Sequence, residues 1–284
     1  MEFAKVSTQS LVMMGLTALL GIALPIVVVL IWKIRKKEPM TTILIGAATF
    51  LLFALVLEKP IQNVIIFPTA MGLPDHAVSR FINARPLLWA FLVGLFPGVF
   101  EETGRLVAFK TVLRKRRNRE TSISHGLGHG CFEAMFLIGV TYIEYIALGI
   151  MINTGTFSGL IDQAAAQAPD AIGQLTAIAD QLAAFSAGNM ALVLVERVFA
   201  VLYHVGASII VFYACKDRKR FWLYPLAVIL HTALDFIAAL TMVNLFNPSP
   251  VVLEVIVVVF GILTFLGAYF LLYRKDRPKM EEIL

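Results

Sequence analysis

Charge is what this sequence has least of. Only 15% of its 284 residues are charged, where a soluble domain carries roughly a quarter. Cysteine is almost absent as well, and both copies, Cys131 and Cys215, fall in or beside apolar runs, so no disulfide framework is implied. No low-complexity tract, internal repeat or separate soluble domain stands out. These shortages leave a chain that is 59% hydrophobic with a mean hydropathy of +0.82. An apolar excess of this size, in segments of about 20 residues, means a polytopic membrane protein.

Seven runs qualify as spans, near 8–32, 40–58, 87–113, 123–148, 188–214, 221–243 and 250–273. The first is longer than a signal-peptide core and is expected to be retained. The fold expected is all-α, a helical bundle forming a single integral membrane domain over 1–284, with residues 87–243 as its functional core. The isoelectric point near 9.2 does not indicate nucleic acid, because the basic residues sit in short loops beside the spans. Lys33, Arg35, Lys36 and Lys37, then "RKRRNR" (114–119), "KDRKR" (216–220) and "RKDRPK" (274–279), place 17 of the 24 Lys and Arg residues on one side. The positive-inside rule then puts the N-terminus outside and the C-terminus in the cytoplasm. An odd number of spans agrees. The absence of disulfides and of eukaryotic targeting signals fits a prokaryotic plasma membrane. The long connection 149–187, with Asp162, Asp170 and Asp180, is expected to be a surface or partly re-entrant helix, or a cap on the bundle.

Ionisable residues inside spans cost about 2.5–3.5 kcal/mol each at the helix centre, so each needs a reason. The third run holds Glu101, Glu102 and Arg105 in "FPGVFEETGRLVAFK". Their i,i+3 and i,i+4 spacing lets the arginine reach either carboxylate. In "SHGLGHGCFEA" His125, His129 and Glu133 form one stripe, with glycines between them for close helix approach. The fifth run adds Glu196, Arg197 and His204, and "HTALD" in the sixth places Asp235 one turn beyond His231. At ~1.5 Å per residue, most of these groups fall roughly 10–20 Å from the cytoplasmic helix ends. Four helices therefore bring polar groups to one depth, which points to one site rather than to scattered ion pairs. Blander roles are expected for Glu58, Glu144 and Glu254 at span ends, for Glu196 and Arg197 as a structural pair, and for His125 at the headgroup level. His76, in an outer loop, is given no role.

The chain has no "HExxH", no aspartate pair in a "GxGD" setting, and no Ser-Lys or Ser-His pairing at this depth. Two carboxylates side by side in a low-dielectric site do not both ionise readily, which suits one of them to general-base activation of a water. Neutral histidines on facing helices would bind the oxyanion or position the water. That chemistry is hydrolysis of a peptide bond without a serine or cysteine nucleophile.

"EETGR", the histidine ending "FAVLYH", and "HTALD" together resemble the motif set of the CAAX-protease and bacteriocin-processing membrane endopeptidases. "GLGHGCFEA" is most similar to the YhfC branch of that superfamily, described as glutamic-type intramembrane proteases. The resemblance covers spans three to six. It implies a helical membrane fold with Glu101 as the water-activating base, Glu102 and Arg105 supporting it, and His204 and His231 lining the site. His129, Glu133 and Asp235 are supporting residues. "FAVLYH" has one residue more than the family spacing, which leaves His129 as a competitor for the role of His204, and Asp235 stands where asparagine is common. No cofactor is implied by the preferred reading. Zinc held by His129, Glu133, His204 and His231 is the alternative. The expected partners are a peptide or membrane-protein substrate and the lipid bilayer, with no nucleic acid. A proton-coupled transporter, or a non-catalytic scaffold like the gamma-secretase subunit that the superfamily resembles, are the readings from other classes.

Overall fold

A computed structural model describes residues 3–167 and 171–276. Asp170 and the Arg277–Lys279 part of the last basic flank lie outside these. Among the described residues every regular element is helical. Seven helices are long and apolar enough to cross a membrane: Thr8–Lys36, Met40–Ile66, Pro86–Lys110, Glu120–Thr154, Ala187–Lys216, Arg218–Met242 and Pro250–Tyr273. The all-α, seven-span reading holds. Large apolar side chains such as Leu19, Ile34, Leu44, Ile229 and Leu263 are exposed, as expected where the surrounding solvent is lipid. Both cysteines are free.

The second span runs on to Ile66, past the end expected at 58. The pair Lys59-Pro60 reads as a stop because proline lacks an N–H and crowds the preceding turn. Here the turns before it, Leu51–Glu58, are π-helical, a widening that lets the helix continue through Pro60. Glu58 is consequently not at the end of the helix. It is buried inside the continuing helix, with Lys59 Nζ 3.5 Å from its carboxylate. The third span meets the same problem at Pro97, which leaves the Val93 carbonyl without its helical donor. Gln62 Nε2 of the second span donates to that carbonyl at 3.4 Å.

Residue contacts divide the chain into two compact units, Met1–Val27 with Ala134–Arg197, and Val28–Glu133 with Val198–Leu284. In the first, the fourth span runs on to Thr154, so the connection expected from 149 starts later, and it holds two short helices, Phe157–Gln167 and Ala171–Ala183. Phe157, Ile161, Ala179 and Leu182 from these helices are buried with Met14, Ile138 and Tyr142 in that unit's core. Glu196 and Arg197 pair with one another there, as expected.

The second unit holds every ionisable residue singled out for the site. Small residues bring its helices close enough for those side chains to meet. A β-carbon at Gly94 would stand 2.6 Å from the Phe236 backbone nitrogen and 2.9 Å from the Thr232 carbonyl, so the third and sixth spans touch backbone to backbone. One at Gly126 would stand 2.6 Å from Val205 Cα on the fifth span, and one at Gly128 would strike the Ile43 carbonyl of the second. The start of the fourth span is thus wedged between the second and the fifth. Gly94→Ala should lower the melting temperature of the detergent-purified protein, because overpacking costs about 1–3 kcal/mol. Gly15→Ala, with no neighbouring atom within 4 Å, should leave it unchanged or raise it.

Candidate active site

Arg105 lies one turn beyond the two glutamates and is fully buried. A guanidinium can only donate, and its donors go in three directions. Nη1 donates to Glu102 Oε1 at 2.6 Å, Nη2 to His204 Nδ1 at 2.6 Å, and Nε to Ser208 Oγ at 3.3 Å. The sequence left open which carboxylate the arginine takes. The direct partner is Glu102, while Glu101 Oε2 is 3.7 Å from Nη2.

Glu102 is also fully buried, and its Oε1 accepts a second bond, at 2.8 Å, from His231 Nδ1 on the sixth span. The other imidazole nitrogen, His231 Nε2, is 3.5 Å from Asp235 Oδ2 and 3.9 Å from Glu101 Oε2. Asp235 is one turn further along and about a third exposed. Glu101 has a different neighbourhood. Its Oε2 takes a 2.9 Å bond from His129 Nε2 on the fourth span and lies 4.0 Å from His204 Nδ1. His204 Nε2 is 2.6 Å from Glu133 Oε2. All eight residues expected to be catalytic or supporting therefore converge, with His204 and His129 side by side at a ring separation of 5.0 Å. No hydrogen bond joins the two neighbouring carboxyls among the described residues. They answer to different partners.

His125 is buried, 3.2 Å from Ser208 Oγ and 3.3 Å from Thr49 Oγ1, with its ring against Phe109. Ser208, one turn beyond His204 on the fifth span, joins Arg105 to His125. Tyr203 was passed over in the sequence, although it precedes His204 directly. Its ring stands edge-on to both His204 and His231.

The same cluster bears on metal binding. One ligand atom each from Glu101, His129, Glu133 and His204 lie within 4.8 Å of one another. His231, expected in such a group, belongs instead to Glu102, and Glu101 takes its place. Two imidazoles and two carboxylates suit zinc by type. Their surroundings do not. A metal-bound histidine almost always donates its other ring N–H to an acceptor, whereas His204 Nδ1 receives an N–H from Arg105. His204 must then carry its proton on Nε2, aimed at Glu133. His129 Nδ1 is buried with no hydrogen-bond partner among the described residues, so with Nε2 as the ligating atom neither histidine has the outer acceptor of a metal ligand.

A family model described as YhfC intramembrane metalloprotease matches residues 20–272. A Bacillus subtilis (strain 168) protein, described as uncharacterized membrane protein YhfC, is 27% identical over 235 residues, which cover 83% of this chain and 86% of the relative. No solved structure matches.

Removing one partner of a buried ion pair leaves the other charge uncompensated and costs about 3–5 kcal/mol. Arg105→Ala should destabilise by that order in thermal unfolding. The double change Arg105→Met with Glu102→Gln, which removes both charges, should recover part of the loss.

Proposed function

The chain belongs to the YhfC intramembrane metalloprotease family, and we propose that it hydrolyses a peptide bond within the membrane by a water that Glu101 activates. The observation that carries this reading is the unequal treatment of the two glutamates. Glu102 is held in a direct ion pair with Arg105 and by His231. Glu101 keeps one direct hydrogen bond, from His129, while Arg105, His231 and His204 stand off at 3.7, 3.9 and 4.0 Å. A general base needs a carboxylate that is oriented but not neutralised by a close cation, and Glu101 fits that description better.

In this mechanism Glu101 Oε2 accepts a proton from water as the water oxygen bonds to the scissile carbonyl carbon. The tetrahedral intermediate then collapses, the C–N bond breaks, and the proton on Glu101 passes to the leaving nitrogen. His129 Nε2–H fixes the carboxylate that does this. His204 is fixed between Arg105 and Glu133, and His231 between Glu102 and Asp235, so both imidazoles hold set orientations at the reacting centre. Glu102 and Arg105 position other groups and need not touch substrate. The bunching of basic residues supports an N-terminus outside, a cytoplasmic C-terminus, and a site within the cytoplasmic half of the membrane. The substrate class is a peptide or the membrane segment of a protein.

A metal-dependent version has one observation in its favour, the 4.8 Å grouping of Glu101, His129, Glu133 and His204. Zinc there would act as a Lewis acid on the carbonyl and acidify its water. It would also require Arg105 to release His204, which is why the glutamate-only reading is preferred.

The test is cleavage of membrane peptides by the purified protein in liposomes. Glu101→Gln should lower kcat by about 10²–10⁴-fold, the usual worth of a general base, with an unchanged melting temperature, and His231→Ala should come close to it. Activity of the parent should survive exhaustive chelation. Activity lost to chelation and restored by one zinc per chain would establish the metal version instead. Unchanged proteolysis in Glu101→Gln would overturn the assignment. Solute transport by a parent without proteolysis would point to a proton-coupled transporter, and a parent with neither activity to a scaffold.

A further inference from the structure

Hydrolysis at this site develops negative charge on the scissile carbonyl oxygen, and some donor must meet it. Most of the strong donors nearby are already engaged, three of the five N–H groups of Arg105 among them. Arg105 uses Nη1, Nη2 and Nε on Glu102, His204 and Ser208. His129 gives its Nε2–H to Glu101, His231 gives its Nδ1–H to Glu102, and His204 directs Nε2 to Glu133.

Tyr203 is different. It is 1% exposed, and its ring stands edge-on to His204 and His231 at centroid separations of 5.4 and 5.3 Å. Its hydroxyl is buried and has no hydrogen-bond partner among the described residues. The phenol lies within electrostatic reach of Glu102, Arg105, Asp235 and Glu101. Burying a hydroxyl unpaired costs roughly 1–3 kcal/mol, and a phenylalanine would fill the same space without that cost. Two more buried polar atoms of the same neighbourhood also lack partners, Glu102 Oε2 and Thr232 Oγ1. Thr232 follows His231 and packs on the Gly98 face of the third span. Unpaired buried polar atoms are rare in folded proteins, and a cluster of them beside acid–base groups has a catalytic explanation more readily than a structural one.

We propose that Tyr203 is a further catalytic residue, whose phenolic O–H donates a hydrogen bond to the oxyanion formed on the scissile carbonyl. The proposal rests on the hydrolytic reading above. The hydroxyl keeps its proton throughout, so no bond of the tyrosine is made or broken. The two edge-on imidazoles hold the ring, and the neighbouring Glu101 holds the water on the same carbonyl.

Tyr203→Phe and Glu101→Gln are assayed side by side in liposomes. Tyr203→Phe should lose kcat by about 10²–10³-fold, the loss seen when one oxyanion donor is removed. Its KM should stay near the parent value and its melting temperature should not fall. A 3-fluorotyrosine at position 203, which retains the hydroxyl, should keep most of the parent kcat. Parent-like kcat in Tyr203→Phe, with Glu101→Gln inactive, overturns the role of Tyr203 and leaves the hydrolytic reading standing. A Tyr203→Phe protein that melts lower but turns over normally per folded molecule overturns it as well, by making the residue structural. An active Glu101→Gln overturns both.

Discussion

A single guanidinium, buried away from water, sets the arrangement of everything around it. Arg105 can donate but not accept, and its planar fork has fixed directions. Placing it between Glu102, His204 and Ser208 ties the third span to the fifth and fixes the tautomer of His204. That tautomer then aims at Glu133 on the fourth span. Glu102 carries the chain of bonds on to His231 of the sixth. Taking so many polar groups out of water is expensive, and hydrocarbon packing would be simpler. A network of this cost in a membrane helix bundle is understandable as the machinery of a reaction. Its second consequence is asymmetry: two adjacent glutamates of identical chemistry are given unlike surroundings, one paired and one left available.

The packing serves the same end. Close approach at Gly94, Gly126 and Gly128 joins the third span to the sixth, and the fourth to the fifth and second, near enough for polar side chains to touch. The two prolines in the second and third spans loosen backbone hydrogen bonding without ending the helices. In one case a π-helical segment absorbs the disturbance, and in the other Gln62 reaches across to the orphaned carbonyl. Polar groups within these spans are therefore satisfied by neighbouring helices, as they must be in lipid.

Much of this was legible in the residues. Hydropathy gave seven spans with most ends within about four positions, the exceptions being the second and fourth, which run on to Ile66 and Thr154. Depth along each helix was enough to gather Glu101, Glu102, Arg105, His129, Glu133, His204, His231 and Asp235 at one level. Depth does not reveal which way each helix is turned about its axis. That rotation decides whether Arg105 takes Glu101 or Glu102, and whether His231 joins Glu133 or Glu102. It also brings Ser208 and His125, which counting placed nearer the helix end, into the network through Arg105. Tyr203 left no separate signal, because a tyrosine in a span reads as an interfacial or packing residue until its neighbours are known.

The central claim is that Arg105 donates to His204 Nδ1 and so keeps the proton of that ring on Nε2, away from metal ligation. The direct test is the imidazole ¹⁵N spectrum of ¹⁵N-histidine-labelled protein in bilayers, with His204 assigned by its disappearance in His204→Gln. The account predicts an Nε2–H tautomer whose Nδ1 accepts a strong hydrogen bond, unchanged when zinc is added. An Nδ1–H tautomer with Nε2 shifted on binding zinc would contradict it.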